Sequence, residues 1–144
     1  MIEIEFNKKV KCTVDKLTVQ KIVFVAAKKE KAIKGKVEIN IVSDLEIKDL
    51  NRKYRGKNKV TDVLSFGGGG EGFPREEKKF GQIFICYPQI ERQAKQFEVT
   101  KKEEFARMLI HGLLHLAGYD HVESKGAERM FGVQEGVVIE LMKK

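Results

Sequence analysis

Tryptophan is absent from this chain, and cysteine, proline and histidine are nearly so: two cysteines, two prolines and three histidines among 144 residues. Each shortage excludes something. Cys12 and Cys86 stand far apart and outside any C-x-x-C pair, which rules out a disulfide-dense secreted scaffold. They read as reduced thiols of a cytoplasmic protein, with a disulfide between them left open. The longest apolar run, Ile22 to Ala27, is far too short for a transmembrane helix, so no segment is expected to span a membrane. Ile2, Ile4 and Phe6 alternate with Glu3 and Glu5, a strand pattern rather than that of a secretory signal. Abundant lysine and glutamate without tryptophan are compatible with a thermophilic source.

What is there is charge of one sign in excess. Lys and Arg number 28 against 21 Asp and Glu, a formal net charge of +7 with pI ≈ 9.4. That balance favours an anionic partner, nucleic acid or an acidic membrane surface, over the plainer alternative of an inert basic exterior. The length suits one domain, residues 1–144, with a core of its own.

Along the chain, residues 2–6 and Val37–Val42 read as strands, separated by a helix from about Val14 to Ala32 that Gly35 ends. Ser43 with Glu46 forms a capping box opening a helix to about Arg55, and Thr100 with Glu103 forms a second, opening the helix that carries His111 and His115. Thr61–Phe66 and Gln82–Cys86 are further strands, joined by a glycine-rich loop at 67–72 that carries no phosphate-loop signature. Helices are expected from Pro88 to Phe97 and from Ser124 to Met142. The order β-α-β-α-β-β-α-α-α predicts an α+β (mixed α/β) fold: a single small domain with a sheet of about four strands packed with about five helices. The order of strands in the sheet does not follow from the pattern.

All three histidines fall in residues 111–121. His111 and His115 lie on one helical face. Gly118 supplies a residue able to end the helix and turn the chain, bringing His121 back towards the pair. Three imidazoles converging on a point match the ligand set of an open, catalytic zinc site, which holds metal with three protein ligands. Cys86 or Asp120 remains available as a fourth, which would make the site closed and structural. The spacing resembles the helix-turn pattern of metzincins. However, Gly112 follows the first histidine where HExxH peptidases place their glutamate base. A phosphodiester relies less on such a base and more on charge stabilisation and alignment, which a metal and an arginine supply. The second constellation, residues 52–59, holds five cations among eight positions, Arg52, Lys53, Arg55, Lys57 and Lys59, with Tyr54 between them. It reads equally as a phosphate-tracking patch and as a solvated helix end.

Two stretches together resemble the YbeY-type bacterial endoribonucleases, or rRNA maturation factors. The first runs from Leu50-Asn51 through Tyr54-Arg55 to Thr61-Asp62-Val63-Leu64-Ser65-Phe66, and the second is the His111–His121 motif. Gly81–Ile85, Glu128–Met130 and Glu135 are similar as well. The resemblance implies one Zn²⁺ per chain on His111, His115 and His121. It implies cleavage of single-stranded RNA in maturation of the small-subunit rRNA 3′ end and in ribosome quality control. It gives catalytic importance to Arg55 and His111; the basic stretch itself, read as a phosphate-tracking patch, offers Arg52, Arg55, Lys57 and Lys59 as the RNA-binding set. The implied partners are rRNA in the small subunit, together with ribosomal proteins or an assembly GTPase, and DNA is not expected. The chain departs from the family at Gln82, where an acidic residue is usual, and in its glycine run. Two competing readings stand beside this one: a zinc hydrolase of another substrate, peptidase-like, and a non-catalytic ribosome-assembly factor whose zinc is structural.

Overall fold

The computed structural model describes residues 2–67, 79–119 and 124–143. Within them the elements run β1 (Ile2–Lys8), α1 (Lys16–Lys29), β2 (Gly35–Val42), α2 (Asp44–Arg55), β3 (Val63–Gly67), β4 (Lys79–Cys86), α3 (Tyr87–Phe97), α4 (Lys101–Leu116) and α5 (Ser124–Met142). The expected α+β succession of four strands and five helices is therefore present.

Local chemistry sets the helix starts. Ser43 Oγ accepts the Glu46 N–H at 3.1 Å and Thr100 Oγ1 accepts the Glu103 N–H at 3.0 Å, each satisfying a donor that the first turn leaves unpaired. The reciprocal half of each capping box is diverted, because Glu46 pairs with Lys9 at 3.2 Å and Glu103 with Arg107 at 3.0 Å. Helix α1 is shorter than its apolar periodicity suggests. It begins after Asp15, whose carboxylate accepts from Thr18 N–H at 2.9 Å, and ends at Lys29. Gly35 does not terminate it. Five residues on from the cap, Gly35 opens β2 at φ 91°, a conformation glycine adopts without a Cβ clash.

The strands form one mixed sheet in the order β1-β2-β4-β3. β1 runs parallel to β2, β2 parallel to β4, and β3 antiparallel to β4. The central strands β2 and β4 are apolar along one face and, on the other, only towards their C-terminal ends. Ile39, Ile41, Ile83 and Ile85 point to one face, where α1, α4 and α5 contribute Val19, Val23, Phe105, Leu109, Leu113 and Val138. Val42, Phe84 and Cys86 point to the other, where Ile47 of α2 closes a second, smaller core with Leu64 and Phe66. This is the period-two alternation of a sheet covered on both sides.

Helix α4 is the element most deeply set in the molecule. Phe105, Ala106, Leu109, Ile110, Leu113 and Leu114 are fully buried, and each large apolar side chain there contributes roughly 1.5–3 kcal/mol relative to exposure. It lies close on the sheet because two glycines allow it. A Cβ on Gly112 would stand 3.2 Å from Ile83 Cγ2 and 3.3 Å from Ser65 Oγ; one on Gly81 would stand 2.6 Å from Leu116 Cδ2. The close approach holds the histidine-bearing turns of α4 directly above β3.

Candidate active site

His111 and His115 project from successive turns of α4 with ring centroids 4.7 Å apart and planes at 82°. Leu116 closes the helix. Gly118 then takes φ 101° and Tyr119 N–H bonds back to the Leu114 carbonyl at 2.9 Å, the left-handed termination expected of that glycine. His121, the third predicted ligand, lies outside the described residues, as do Asp120 and residues 68–72 of the glycine run. Among the described residues no group of three His, Cys, Asp or Glu side chains is placed to hold a metal, since the described part of the motif contains two of its histidines.

The two imidazoles line a cleft of about 600 Å³ together with Arg55, Thr61, Asp62 and Ser65. Sequence places Arg55 and His111 fifty-six positions apart; the fold brings them to one cavity. Arg55 is held there by two contacts. Its Nη2 donates to the Ser65 carbonyl at 2.8 Å, and its guanidinium lies 4.9 Å from the centroid of the Phe66 ring. Phe66 is fixed in turn by edge-on contacts with Tyr54 and Phe84, at 5.6 and 5.9 Å. Stacking on an aromatic face fixes the plane of an always-charged group, the arrangement suited to a planar or tetrahedral oxyanion.

The other cations of the basic stretch sit apart. Arg52 is exposed and bonded to Asp49 at 2.6 Å. Lys57 and Lys59 are exposed on the loop after α2. None of the three lines the cleft. That loop is anchored by buried Asn51, whose amide donates to the Lys59 carbonyl at 3.0 Å while its backbone carbonyl accepts the Lys57 N–H at 3.2 Å.

Cys86 is excluded as a further ligand. It packs in the core on the α2 face of the sheet, donates to Asp44 at 3.2 Å, and burial pushes its thiol up to about 12. Both cysteines are free thiols. Gln82 also lies away from the cleft. It sits opposite Glu38 in the β2–β4 register and donates to that carboxylate at 3.2 Å. A neutral amide at 82 thus answers a carboxylate across the strand pair, where a second one would repel it.

Sequence reasoning did not find Gln134, the partner of His111. This residue of α5 is buried, and its Oε1 stands 2.8 Å from His111 Nδ1. Beside it, Glu135 takes two bonds from Arg107, Nε to Oε2 at 2.8 Å and Nη2 to Oε1 at 3.0 Å. The guanidinium holds the Glu135 carboxyl below the usual carboxylate range, and the surrounding acids raise Arg107 in return. No local pattern in the sequence marks Gln134, because its partner is 23 residues away.

Two histidines of a buried helix and an arginine stacked on an aromatic ring line one cleft, residue types that recur in hydrolytic sites for anionic substrates. The family described as Endoribonuclease YbeY matches residues 2–142, and the chain belongs to it. An Endoribonuclease YbeY of Thermotoga maritima is 41% identical over 110 residues, 74% of this chain and 69% of that protein. One of Lactobacillus gasseri is 39% identical over 127 residues, covering 80% and 73%. One of Halalkalibacterium halodurans is 36% identical over 130 residues, covering 83% and 82%. The solution structure of a Thermotoga maritima protein superposes with a TM-score of 0.63 at 33% identity, covering 95% of this chain and 87% of the other. Family membership makes the chain a hydrolase of the endoribonuclease class. No helix among the described residues is long and apolar enough to cross a membrane.

Proposed function

We propose that the protein is a zinc-dependent endoribonuclease specific for single strands. Its substrate is the 3′ region of small-subunit rRNA, and its setting is cytoplasmic ribosome maturation and quality control, where ribosomal proteins or an assembly GTPase bring it to the particle. Residues 1–144 act as one such domain. The observation that carries the reading is the shared cleft: Arg55 and the two histidines of α4 line one cavity wide enough for a phosphodiester.

The donor set suits zinc. His111 and His115 stand at ligand spacing on a rigid helix, and the contact from His111 Nδ1 to Gln134 leaves Nε2 as the metal-binding nitrogen. His121 completes the set in this reading. Zinc supplies a Lewis acid that polarises a phosphoryl oxygen. Arg55 stabilises the negative charge that grows on the non-bridging oxygens as the bond breaks. Its plane is set in advance by Phe66 and the Ser65 carbonyl, so little reorientation is needed at the moment of reaction. Arg52, Lys57 and Lys59, outside the cleft, follow the backbone of the strand beyond the scissile bond. The attacking oxygen is either water or the substrate's own 2′-hydroxyl, and the product ends distinguish them: a 2′,3′-cyclic phosphate requires the hydroxyl.

The deciding experiment measures bound metal and single-stranded RNA cleavage for the purified parent and for His111→Ala, with controls for contaminating nuclease. The expected result is about one zinc per chain and cleavage in the parent, with both lost in the variant. A parent that binds zinc and assembles on ribosomal particles without cutting RNA would overturn the catalytic reading.

A further inference from the structure

Resting on the zinc reading, we infer that Gln134 is a positioning residue for the first metal histidine, fixing the tautomer and ring orientation of His111 through an amide whose own orientation is dictated by Glu135. The assignment follows from donors and acceptors. Arg107 grips Glu135 with two charge-assisted bonds, at 2.8 and 3.0 Å, and is itself held by Glu103 and Glu104 at 3.0 and 3.1 Å. A carboxylate so held is ionised and can only accept. The Gln134 group facing Glu135 Oε2, at 3.2 Å, is therefore the NH₂ end. The amide oxygen is left facing His111 Nδ1 at 2.8 Å. An amide oxygen also only accepts, so Nδ1 carries the proton and the lone pair of the neutral ring sits on Nε2.

The relay runs from the salt-bridged surface of α4 to the ligand in four residues, Glu103, Arg107, Glu135 and Gln134, each contact with one permitted polarity. Its last member is neutral. A carboxylate in that place would also orient the ring, but it would add negative charge beside the ligand and raise its basicity. Gln134 orients the histidine without that charge.

Two readouts on Gln134→Leu and Gln134→Glu test the inference. The first is the His111 tautomer in the metal-free protein, from long-range ¹H–¹⁵N correlations. The expected result is Nδ1–H in the parent and in Gln134→Glu, with conversion towards Nε2–H in Gln134→Leu. The second is zinc affinity by competition with a chromophoric chelator. The expected result is a loss of about 10–100-fold in Gln134→Leu, and parental or tighter binding in Gln134→Glu. Thermal unfolding of the metal-free variants separates a folding defect from a ligand effect, and Gln134→Glu keeps the test open if the leucine variant fails to fold. An Nε2–H tautomer in the parent overturns the inference. So does a parent that binds zinc with Gln134→Leu matching it. A parent that binds no zinc overturns the zinc reading and the purpose assigned here to Gln134.

Discussion

Gly81 of β4 and Leu116 of α4 touch so closely that a β-carbon on Gly81 would lie 2.6 Å from Leu116 Cδ2 and 2.7 Å from the Phe66 carbonyl oxygen. The leucine tip can rotate away; the backbone oxygen cannot. Gly81→Ala is expected to destabilise by about 1–3 kcal/mol, the usual cost of overpacking, and to push β3 away from β4 at Phe66. An unchanged Tm would show that the two strands part here without strain.

Gly112 sets a different limit. It occupies the place where a helical zinc peptidase carries its glutamate, and the sheet lies against it: a β-carbon added there would meet Ile83 Cγ2 at 3.2 Å and Ser65 Oγ at 3.3 Å. Gly112→Glu would have to bury a carboxylate between α4 and β3. The expected outcome is loss of several kcal/mol of stability and no gain of peptide hydrolysis. A stable variant with peptidase activity would show that the missing base alone separates the two chemistries.

Arg55 rests on Phe66 and is exposed to solvent, so its removal should cost the fold about 0.5–1 kcal/mol. The effect on chemistry should be far larger: Arg55→Ala is expected to lower kcat on single-stranded RNA by about 10²–10³-fold. Arg55→Lys should recover little, because a lysine presents no planar fork to stack or to span two oxygens. If Arg55→Ala instead raises KM and leaves kcat intact, the arginine binds the strand without stabilising its cleavage.

Acid should loosen the contact between α4 and α5. Glu135 has its pKa lowered from its ordinary value of 4.5, chiefly by the hydrogen bonds from Arg107. A depressed carboxyl contributes stability above its unfolded pKa and loses it as the pH falls through the folded one. Tm should therefore decline below about pH 4.5, with a shallower slope in Glu135→Gln. Identical slopes for the two proteins would mean that Glu135 titrates alike in the folded and unfolded chains.

Much of this architecture is legible in local pattern. Ser43 and Thr100 cap the helices that their spacing predicts, and Gly118 turns the chain after His115 through a left-handed backbone. These are decisions made within a few residues, where hydrogen-bonding groups and φ preferences suffice. Gly35 is different, because a glycine after an apolar stripe looks the same whether it ends a helix or begins a strand; pairing with Ile2 decides for the strand. Gly112 is legible as a missing glutamate, while its packing against Ile83 belongs to the meeting of α4 with the sheet. Gln134 is beyond reach for the same reason. Its meaning lies in an imidazole on another helix, and one polar residue on an amphipathic stretch looks like any other.

The two walls of the cleft differ in what supports them. The histidines stand on α4, whose inner face is fully buried. Arg55 leans on Ser65 and Phe66 of β3, which among the described residues ends the sheet and has a strand neighbour on one side only. Local opening draws on the least-supported parts of a structure. Amide exchange in Leu64–Phe66 should therefore be faster than in Leu109–Leu114, and fluctuation of the cleft should occur mainly at its arginine side. The cleft then pairs two histidines held on a buried helix with an arginine carried by an edge strand, so its width is set by the sheet's edge rather than by α4.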